Sequence, residues 1–495
     1  MIFEMLFMLA LALSGSAVVY SLGLRSWPLL PVGYLAGVAQ FTLISYLLIA
    51  IGAYLSPLLP LAINVLGSLG YAYFYLSRKG LSLFQVIIRS YQFIVASAAL
   101  IAASVAAIST VNLTKYTFDT ANYLLTGNLI SRADFEFMSP SVLISWFSPV
   151  SVMHSAANLW SDYYLIALSP LLGLSLLASF FWLVKLWLAK KSDNSKLTLF
   201  ALLGVLVLAT NHGFIWNALY LNSHILVAAS VLLMAVSGWF LATKTENQQS
   251  RLFLYLLYVF TAMTIITRSE GIFLATLVAL PIFFSKTIIR KYQLGLGLAI
   301  ASSFLLQQGS IYLLSLRQNI DLPDPNMRMV YLSVALFITA ISLFMVDRYI
   351  PKKKLYSLLP LGVMGSLLAA LGLFTLNDPT IMKKSLKATY SNLVTHPETW
   401  GSIFLISAIA TIVLLAAKRL KLQRHFLYPL VGFLPLGLLL AYLRDGAYRD
   451  NPADSFNRML MHILPMAVFF MMVLLFSRER SWLATKYLNA KKRNK

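Results

Sequence analysis

The first residue in this 495-residue chain with the type and setting of a catalytic base is Asp119. It stands just past a long apolar run, in Phe118-Asp119-Thr120-Ala121-Asn122-Tyr123. An acidic side chain there either caps a following helix or takes a substrate proton at a membrane surface. Asp119 belongs to the longest polar interruption in the chain, residues 112–163, which continues through Asp134-Phe135-Glu136, Ser139-Pro140, Trp146, Ser148-Pro149, His154 and Asp162. Asp134 and Glu136 are either ligands for a divalent cation, Mg or Mn, or two solvated carboxylates at a turn. Thr120 to Ile130 has the pattern of a short amphipathic helix that lays Tyr123, Leu124 and Leu129 on the interface.

Three other polar groups interrupt apolar runs. Asn211-His212-Gly213, Trp216-Asn217, Tyr220, Asn222 and His224 crowd the turn of a hydrophobic hairpin, either as an interfacial belt or as a substrate contact. His212 and His224 lie too far apart in sequence for a helical zinc pair, and the chain has no cysteine. Thr267-Arg268-Ser269-Glu270-Gly271 is squeezed between two short apolar runs, so its Arg and Glu either pair or bind something. Arg268 would suit a phosphate, because a planar guanidinium meets two oxygens at once. The last group runs Arg444-Asp445-Gly446-Ala447-Tyr448-Arg449 and then Asn457-Arg458-Met459, ahead of a run containing Pro465.

The elements that must position these residues are membrane helices. Hydrophobic residues make up 59% of the chain and charged ones 11%, which places it among polytopic membrane proteins. Apolar runs at 2–22, 29–55, 57–77, 90–111, 164–184, 197–210, 219–243, 252–267, 271–285, 293–316, 329–346, 355–376, 401–417, 426–443 and 459–477 are the expected crossings. The expectation is an all-α protein of roughly 13–15 transmembrane helices, with short amphipathic helices in the loop 112–163. The run from Ile2 carries Glu4 and no basic residue ahead of it, so it reads as a first span and not a cleaved signal. Residues 1–80 read as an accessory three-helix bundle whose few buried polar groups include Gln40 and Asn64, with residues 81–495 as the catalytic region.

Charge gives the orientation. Assigning the connections alternately to two sides puts 28 of the 39 Lys and Arg on one side, and 13 of the 17 carboxylates on the other. By the positive-inside rule the basic side is cytoplasmic, and the C-terminus lies there. The loops that carry Asp119, His212, Arg268 and Arg458 then share the outer face. The net charge of +22 is explained by orientation and anionic lipid, so nucleic acid is not an expected partner. Arg444, Arg449 and Arg458 run against this bias, which points to anion binding.

Taken together these residues resemble the GT-C superfamily of integral-membrane glycosyltransferases, which take sugars from polyprenyl-phosphate carriers. The resemblance is spread over residues 90–477. It rests on the acidic residue near a Tyr in a first large outer loop (Asp119, Tyr123), on the turn Arg268-Ser269-Glu270-Gly271, and on Arg458 followed by Pro465. The departures are the three leading spans and the absence of a large soluble domain after Leu460. The resemblance implies transfer of a sugar from a polyprenyl-phosphate donor to a glycan, lipid or protein acceptor, at the outer face of a bacterial or archaeal cell membrane, in the synthesis of envelope glycan, glycolipid or glycoprotein. It points to Asp119 as base, with Asp134 or Glu136 as alternate, to Arg268 and Arg458 as phosphate ligands with Arg444 or Arg449 as substitutes, and to Tyr123, His154, Asn217, His224 and Glu270 as substrate contacts. The alternatives are a polysaccharide polymerase or ligase on the same carriers, or a lipid-linked sugar flippase or transporter with Gln92, Gln307, Gln308 and Asn64 along a path.

Overall fold

The structure, a computed structural model, describes residues 1–78, 83–111, 114, 118–157, 164–188, 194–243, 250–285, 287–346, 355–395, 399–416, 424–443, 446–451 and 454–474. The chain opens with α1 (Ile2–Ser21), α2 (Leu29–Ile51), α3 (Leu58–Ser77) and α4 (Leu83–Val111). The polar loop follows as α5 (Phe118–Ser131), a 3-10 turn at Phe135–Phe137, α6 (Pro140–Ser145) and α7 (Pro149–Ser155). Next come α8 (Leu168–Leu188), α9 (Asn194–Ala209), α10 (His212–Leu219), α11 (His224–Thr243), α12 (Ser250–Thr267) and α13 (Gly271–Phe283). The last third holds α14 (Arg290–Arg317), α15 (Asp324–Val346), α16 (Leu355–Asn377), α17 (Pro379–Tyr390), α18 (Ile403–Ala416), α19 (Arg424–Leu443), α20 (Ser455–Met459) and α21 (Leu464–Leu474).

Among the described residues no strand occurs, and ten helices are long and apolar enough to cross a bilayer. The number rises to twelve if each of two bent pairs, α9 with α10 and α20 with α21, counts as one span. The protein is therefore an all-α, polytopic integral membrane protein. Each expected apolar run contains a helix, although α13, with 13 residues, is short for a bilayer core of about 30 Å at ~1.5 Å per residue.

Helix boundaries follow caps more than hydropathy. The run at 219–243 was expected to form one span, but α11 starts at His224, whose amide is accepted by the Asn222 side chain at 2.8 Å. At the end of α9 the chain turns by 71°, and Asn211 Oδ1 accepts from Phe214 N at 3.1 Å to start α10. In the polar loop, Ser139 and Ser148 cap α6 and α7, each with proline in the first turn, as the two Ser-Pro pairs predict.

The core lies around α11, whose apolar window is 94% buried, against 22% for α3 and α4 and 11% for α15. A helix apolar on every face is surrounded by protein or by lipid, and α11 has α8, α12, α13 and α19 around it. At the other extreme α3, α4 and α15 present most of their surface outward, which in a membrane means to lipid. Helices α1 and α2 approach closely where glycines face each other: a Cβ on Gly15 would stand 1.9 Å from the Gly33 carbonyl oxygen, and one on Gly37 1.8 Å from that of Leu11.

Residues 1–51, expected to belong to an accessory bundle, are tied into the remainder. Glu4 is buried and accepts from Ala167 N at 2.7 Å, Gln40 donates to the Tyr255 hydroxyl at 2.7 Å, and Tyr46 donates to the Phe147 carbonyl at 3.0 Å. Arg317 donates to the last carbonyls of α2, those of Ile49 and Ala50, at 2.8 and 2.6 Å, the helix end where a cation is favoured. The expected division between residues 80 and 81 falls on residues 79–82, outside the described residues.

Helix α5 also departs from expectation. Tyr123 is not laid on the interface: it points inward and is buried, with Thr120, Thr126 and Ile130, while Leu125 on the same helix is exposed. The reason is packing against α7, where Gly127 leaves room for the Ser151 carbonyl and the His154 side chain.

Candidate active site

Four connections converge at the end of the bundle that carries the polar loop. Helix α5 brings Asp119 and Tyr123, the α10–α11 turn brings Ser223 and His224, the α12–α13 turn brings Arg268 and Glu270, and α20 brings Arg458. Asp119 sits in the first turn of α5, where its carboxylate accepts from Arg458 Nη1 across 339 residues of sequence. Asp119 is expected either to cap a helix or to take a substrate proton; the contact it makes is an ion pair with Arg458. Both side chains are about one-fifth exposed, at 24% and 19%, so the pair is sheltered yet reachable.

Arg268 forms the second pair. Its Nε donates to Glu270 Oε1, and Nη1 donates to Ser223 Oγ at 3.2 Å and lies 3.5 Å from His224 Nε2. The Tyr123 hydroxyl is 3.2 Å from the same Ser223 Oγ, so one serine links the tyrosine to the arginine. The turn itself is held from below: Gln307 Nε2 donates to the Arg268 carbonyl at 3.2 Å, and Gln308 donates to Gln307 at 3.3 Å. Gly271 fits where a Cβ would lie 2.0 Å from the Thr264 carbonyl oxygen, which explains a glycine closing so short a turn.

The charges balance as two pairs, Asp119 with Arg458 and Glu270 with Arg268. Burial, the largest single influence, pushes the Glu270 carboxyl up, but the Arg268 guanidinium, His462 and hydrogen bonds from the backbone and Arg268 together hold the group below its ordinary value. Arg268 in turn, against its own burial, is held above its ordinary value by Glu270 first, with Asp119 adding to it. Burial raises the Tyr123 phenol against the opposing charge of Arg268 and the Ser223 hydrogen bond, so Tyr123 stays protonated, and either hydroxyl can donate in its bond with Ser223. Among the described residues, Arg268 Nη2 makes no hydrogen bond, and Arg458 Nε is buried with no partner.

His224 is backed by His462. The rings stack at 5.1 Å with His224 Nδ1 2.9 Å from His462 Nε2. Donation from Arg268 to His224 Nε2 requires the proton on Nδ1, so His224 donates onward to His462. His462 went unremarked as a site residue in the sequence. A histidine one helical turn after Arg458, at the head of an apolar run, was the available signal. Ser223 had none.

A cavity of about 240 Å³ adjoins the pair from the other side of Arg458. Helix α10 supplies Trp216 and Asn217, the segment before α18 supplies Thr399 and Trp400, and the last polar segment supplies Asn451 and Arg458. Its walls are fixed: Gly213 N donates to the Thr399 carbonyl at 2.6 Å, Asn211 Nδ2 to that of Trp400 at 2.9 Å, and Trp400 Nε1 to Asn457 Oδ1 at 2.5 Å. Asn217, a candidate substrate contact, is buried and linked through Asn222 to His224.

The remaining candidates lie elsewhere. His154 is fully buried in α7, where Nδ1 accepts from Leu165 N at 3.1 Å and burial lowers its pKa to about 3, so it is a neutral core residue and not a substrate contact. Asp134 is half-buried and Glu136 exposed at the 3-10 turn, and among the described residues no group of three or more His, Asp and Glu gathers as a metal site. Arg449 is exposed, with its carbonyl accepting from Asn392. Arg444 and Asp162 lie outside the described residues. Set against protein-family models, curated proteins and solved structures, the chain matches none.

Proposed function

We propose that the protein is a membrane glycosyltransferase that moves a sugar from a polyprenyl-phosphate carrier to an acceptor hydroxyl. The observation that carries this reading is the meeting of Asp119, Arg458 and Arg268 from three distant parts of the chain, with two guanidiniums beside one reachable carboxylate. In the proposed step the acceptor oxygen attacks the anomeric carbon, its proton passes to Asp119, and the bond from that carbon to the phosphate oxygen breaks with its electrons leaving on the phosphate. Arg268 and Arg458 stabilise the departing charge, which is where preorganised donors act most strongly. Tyr123, protonated and linked to Arg268 through Ser223, holds the second face of the phosphate site. No step is routed through a cation at Asp134 and Glu136.

Two further observations favour transfer over transport. Gln307 and Gln308, the deep polar residues a transport path would use, are committed to the Arg268 carbonyl and to each other. The two ion pairs, Asp119 with Arg458 and Glu270 with Arg268, stand outside the long spanning helices instead of lining them. The charge bias of the connecting loops assigns the end of the bundle that carries them to the outer face of a cell membrane.

The test is sugar transfer by purified protein in lipid nanodiscs, from polyprenyl-phosphate sugars labelled in the sugar. A positioned base contributes ~10²- to 10⁴-fold, so Asp119→Asn should lose nearly all transfer while remaining folded. Near-normal transfer by that variant would remove Asp119 from the mechanism.

A further inference from the structure

Away from the candidate active site, a cavity of about 620 Å³ lies between α1, α2, α3 and α12. It runs along the helices from Gln40, midway along α2, to Leu22 at the end of α1 and Arg251 at the start of α12. The slot opens sideways, because α3 presents most of its surface outward and Ile63 and Tyr71 of the lining are exposed. A second open cavity, among α13 to α16 and α19, has no charged residue in its lining, so nothing there distinguishes one lipid from another.

We propose that the first cavity binds an anionic glycerophospholipid of the leaflet opposite the candidate active site, with one acyl chain in the slot and the phosphodiester on Arg251. This goes beyond sugar transfer and does not depend on it. The leaflet follows from α12, which begins beside Arg251 and ends at Thr267, next to Arg268; its 18 residues separate the two arginines by about 27 Å at ~1.5 Å per residue. The charge bias of the connecting loops assigns the Arg251 end to the cytoplasmic leaflet, where anionic headgroups attract arginines close to the membrane.

Charge is the first argument. Arg251 is exposed, makes no ion pair among the described residues, and shares the lining with no carboxylate. As the second residue of α12 it also stands at the helix end where an anion is favoured. The arginines that follow α1 and α3 at the same end are engaged: Arg25 donates to the carbonyls of Tyr20 and Leu24, and Arg78 stacks on the Phe74 ring. The walls are the second argument. Val18, Leu22, Ile44, Ile63 and Leu254 give the slot apolar surface for an acyl chain. Its polar groups make their bonds within the protein: Gln40 donates to the Tyr255 hydroxyl, Ser68 donates to Gln40 Oε1 at 3.3 Å, and Asn64 donates to Ser14 Oγ at 3.1 Å and to the Gly37 carbonyl at 3.3 Å. Asn64 Oδ1, which lacks a partner, is itself buried. Hydrocarbon can lie against these groups without taking a hydrogen bond from them.

The test is native mass spectrometry of the full chain released from detergent micelles that carry equal amounts of phosphatidylglycerol and phosphatidylcholine with identical acyl chains. Wild-type protein should retain about fivefold more phosphatidylglycerol than phosphatidylcholine, the preference that one arginine near a membrane surface confers. Arg251→Gln should equalise the two lipids. Gly67 lines the slot, and a Cβ there would meet no described atom within 4 Å, so Gly67→Leu fills the space without displacing protein and should lower retention of both lipids. Gly70→Leu, equally open on the same helix but outside the lining, is the control and should bind as wild type does. Unfolding temperature with and without added phosphatidylglycerol is the second readout: wild type and Gly70→Leu should be stabilised by the lipid, and Gly67→Leu and Arg251→Gln should gain less. The proposal is overturned if wild type shows no preference, if Arg251→Gln keeps it, or if Gly67→Leu retains phosphatidylglycerol as well as Gly70→Leu does.

Discussion

Replacing Arg458 by Gln removes the partner of Asp119 and leaves a carboxylate that is three-quarters buried without compensation. Breaking a fully buried ion pair from one side costs ~3–5 kcal/mol, and an exposed pair is worth ~0–1 kcal/mol. With the two side chains about one-fifth exposed, the expected loss lies between these limits, at about 2–3 kcal/mol. Asp119→Asn should cost a similar amount, because Arg458 is then the buried charge left alone. The double variant Asp119→Asn, Arg458→Gln removes both charges and should recover ~1–2 kcal/mol of the summed loss, the coupling expected of residues in direct contact. Equilibrium unfolding in mixed micelles by SDS titration, followed by tryptophan fluorescence, measures all four proteins on one scale. Transfer activity supplies the control, since the double variant should regain stability and no activity. Strictly additive single losses, or losses below ~0.5 kcal/mol each, would refute the pairing and with it the convergence on which the site is built.

Arg268→Lys should weaken polyprenyl phosphate binding by about tenfold despite its retained charge, since an ammonium cannot serve Glu270, Ser223 and a phosphate in one plane; unchanged affinity in a binding titration removes the phosphate role. The His154 effect is set by its neutral, buried ring. Its pKa is about 3 folded against about 6.5 unfolded, so only the unfolded chain takes up the proton between those values, and its contribution to stability is complete above pH 6.5 and falls as pH drops. His154→Asn, which keeps an acceptor for Leu165 N, should flatten the fall in unfolding free energy between pH 7 and 5, by up to ~1.4 kcal/mol per pH unit. An identical slope in both proteins sinks that assignment. Gly213→Ala places a methyl 2.4 Å from the Trp400 ring and should destabilise by ~1–3 kcal/mol while displacing Trp400 from Asn457, read as a shift in tryptophan emission.

Much of the architecture can be read along the chain because its causes are local. A run of apolar side chains needs lipid or protein around it wherever it stands, and the run at 2–22 becomes α1 at Ile2–Ser21 almost unchanged. Ser139-Pro140 and Ser148-Pro149 start helices because serine and proline satisfy a helix N-terminus whatever lies nearby. Where cap and hydropathy disagree, as at Asn222 before α11, the hydrogen bond decides and the apolar run misleads.

The site was legible only as a set of residue types. Sequence alone identified Asp119, Arg268, Glu270 and Arg458 as charges that need partners near a membrane, since an ion there is costly to leave bare. Arg268 and Glu270 stand two residues apart and can pair within their own turn, but nothing local gives Asp119 its partner 339 residues away. Tertiary packing made the choice, by burying Tyr123 against Ser223, by holding the Arg268 turn on Gln307, and by bringing α20 beside α5. It also took His154 out of the site and put His462 into it, because which face of a short helix turns inward depends on the neighbours it meets and not on its own sequence.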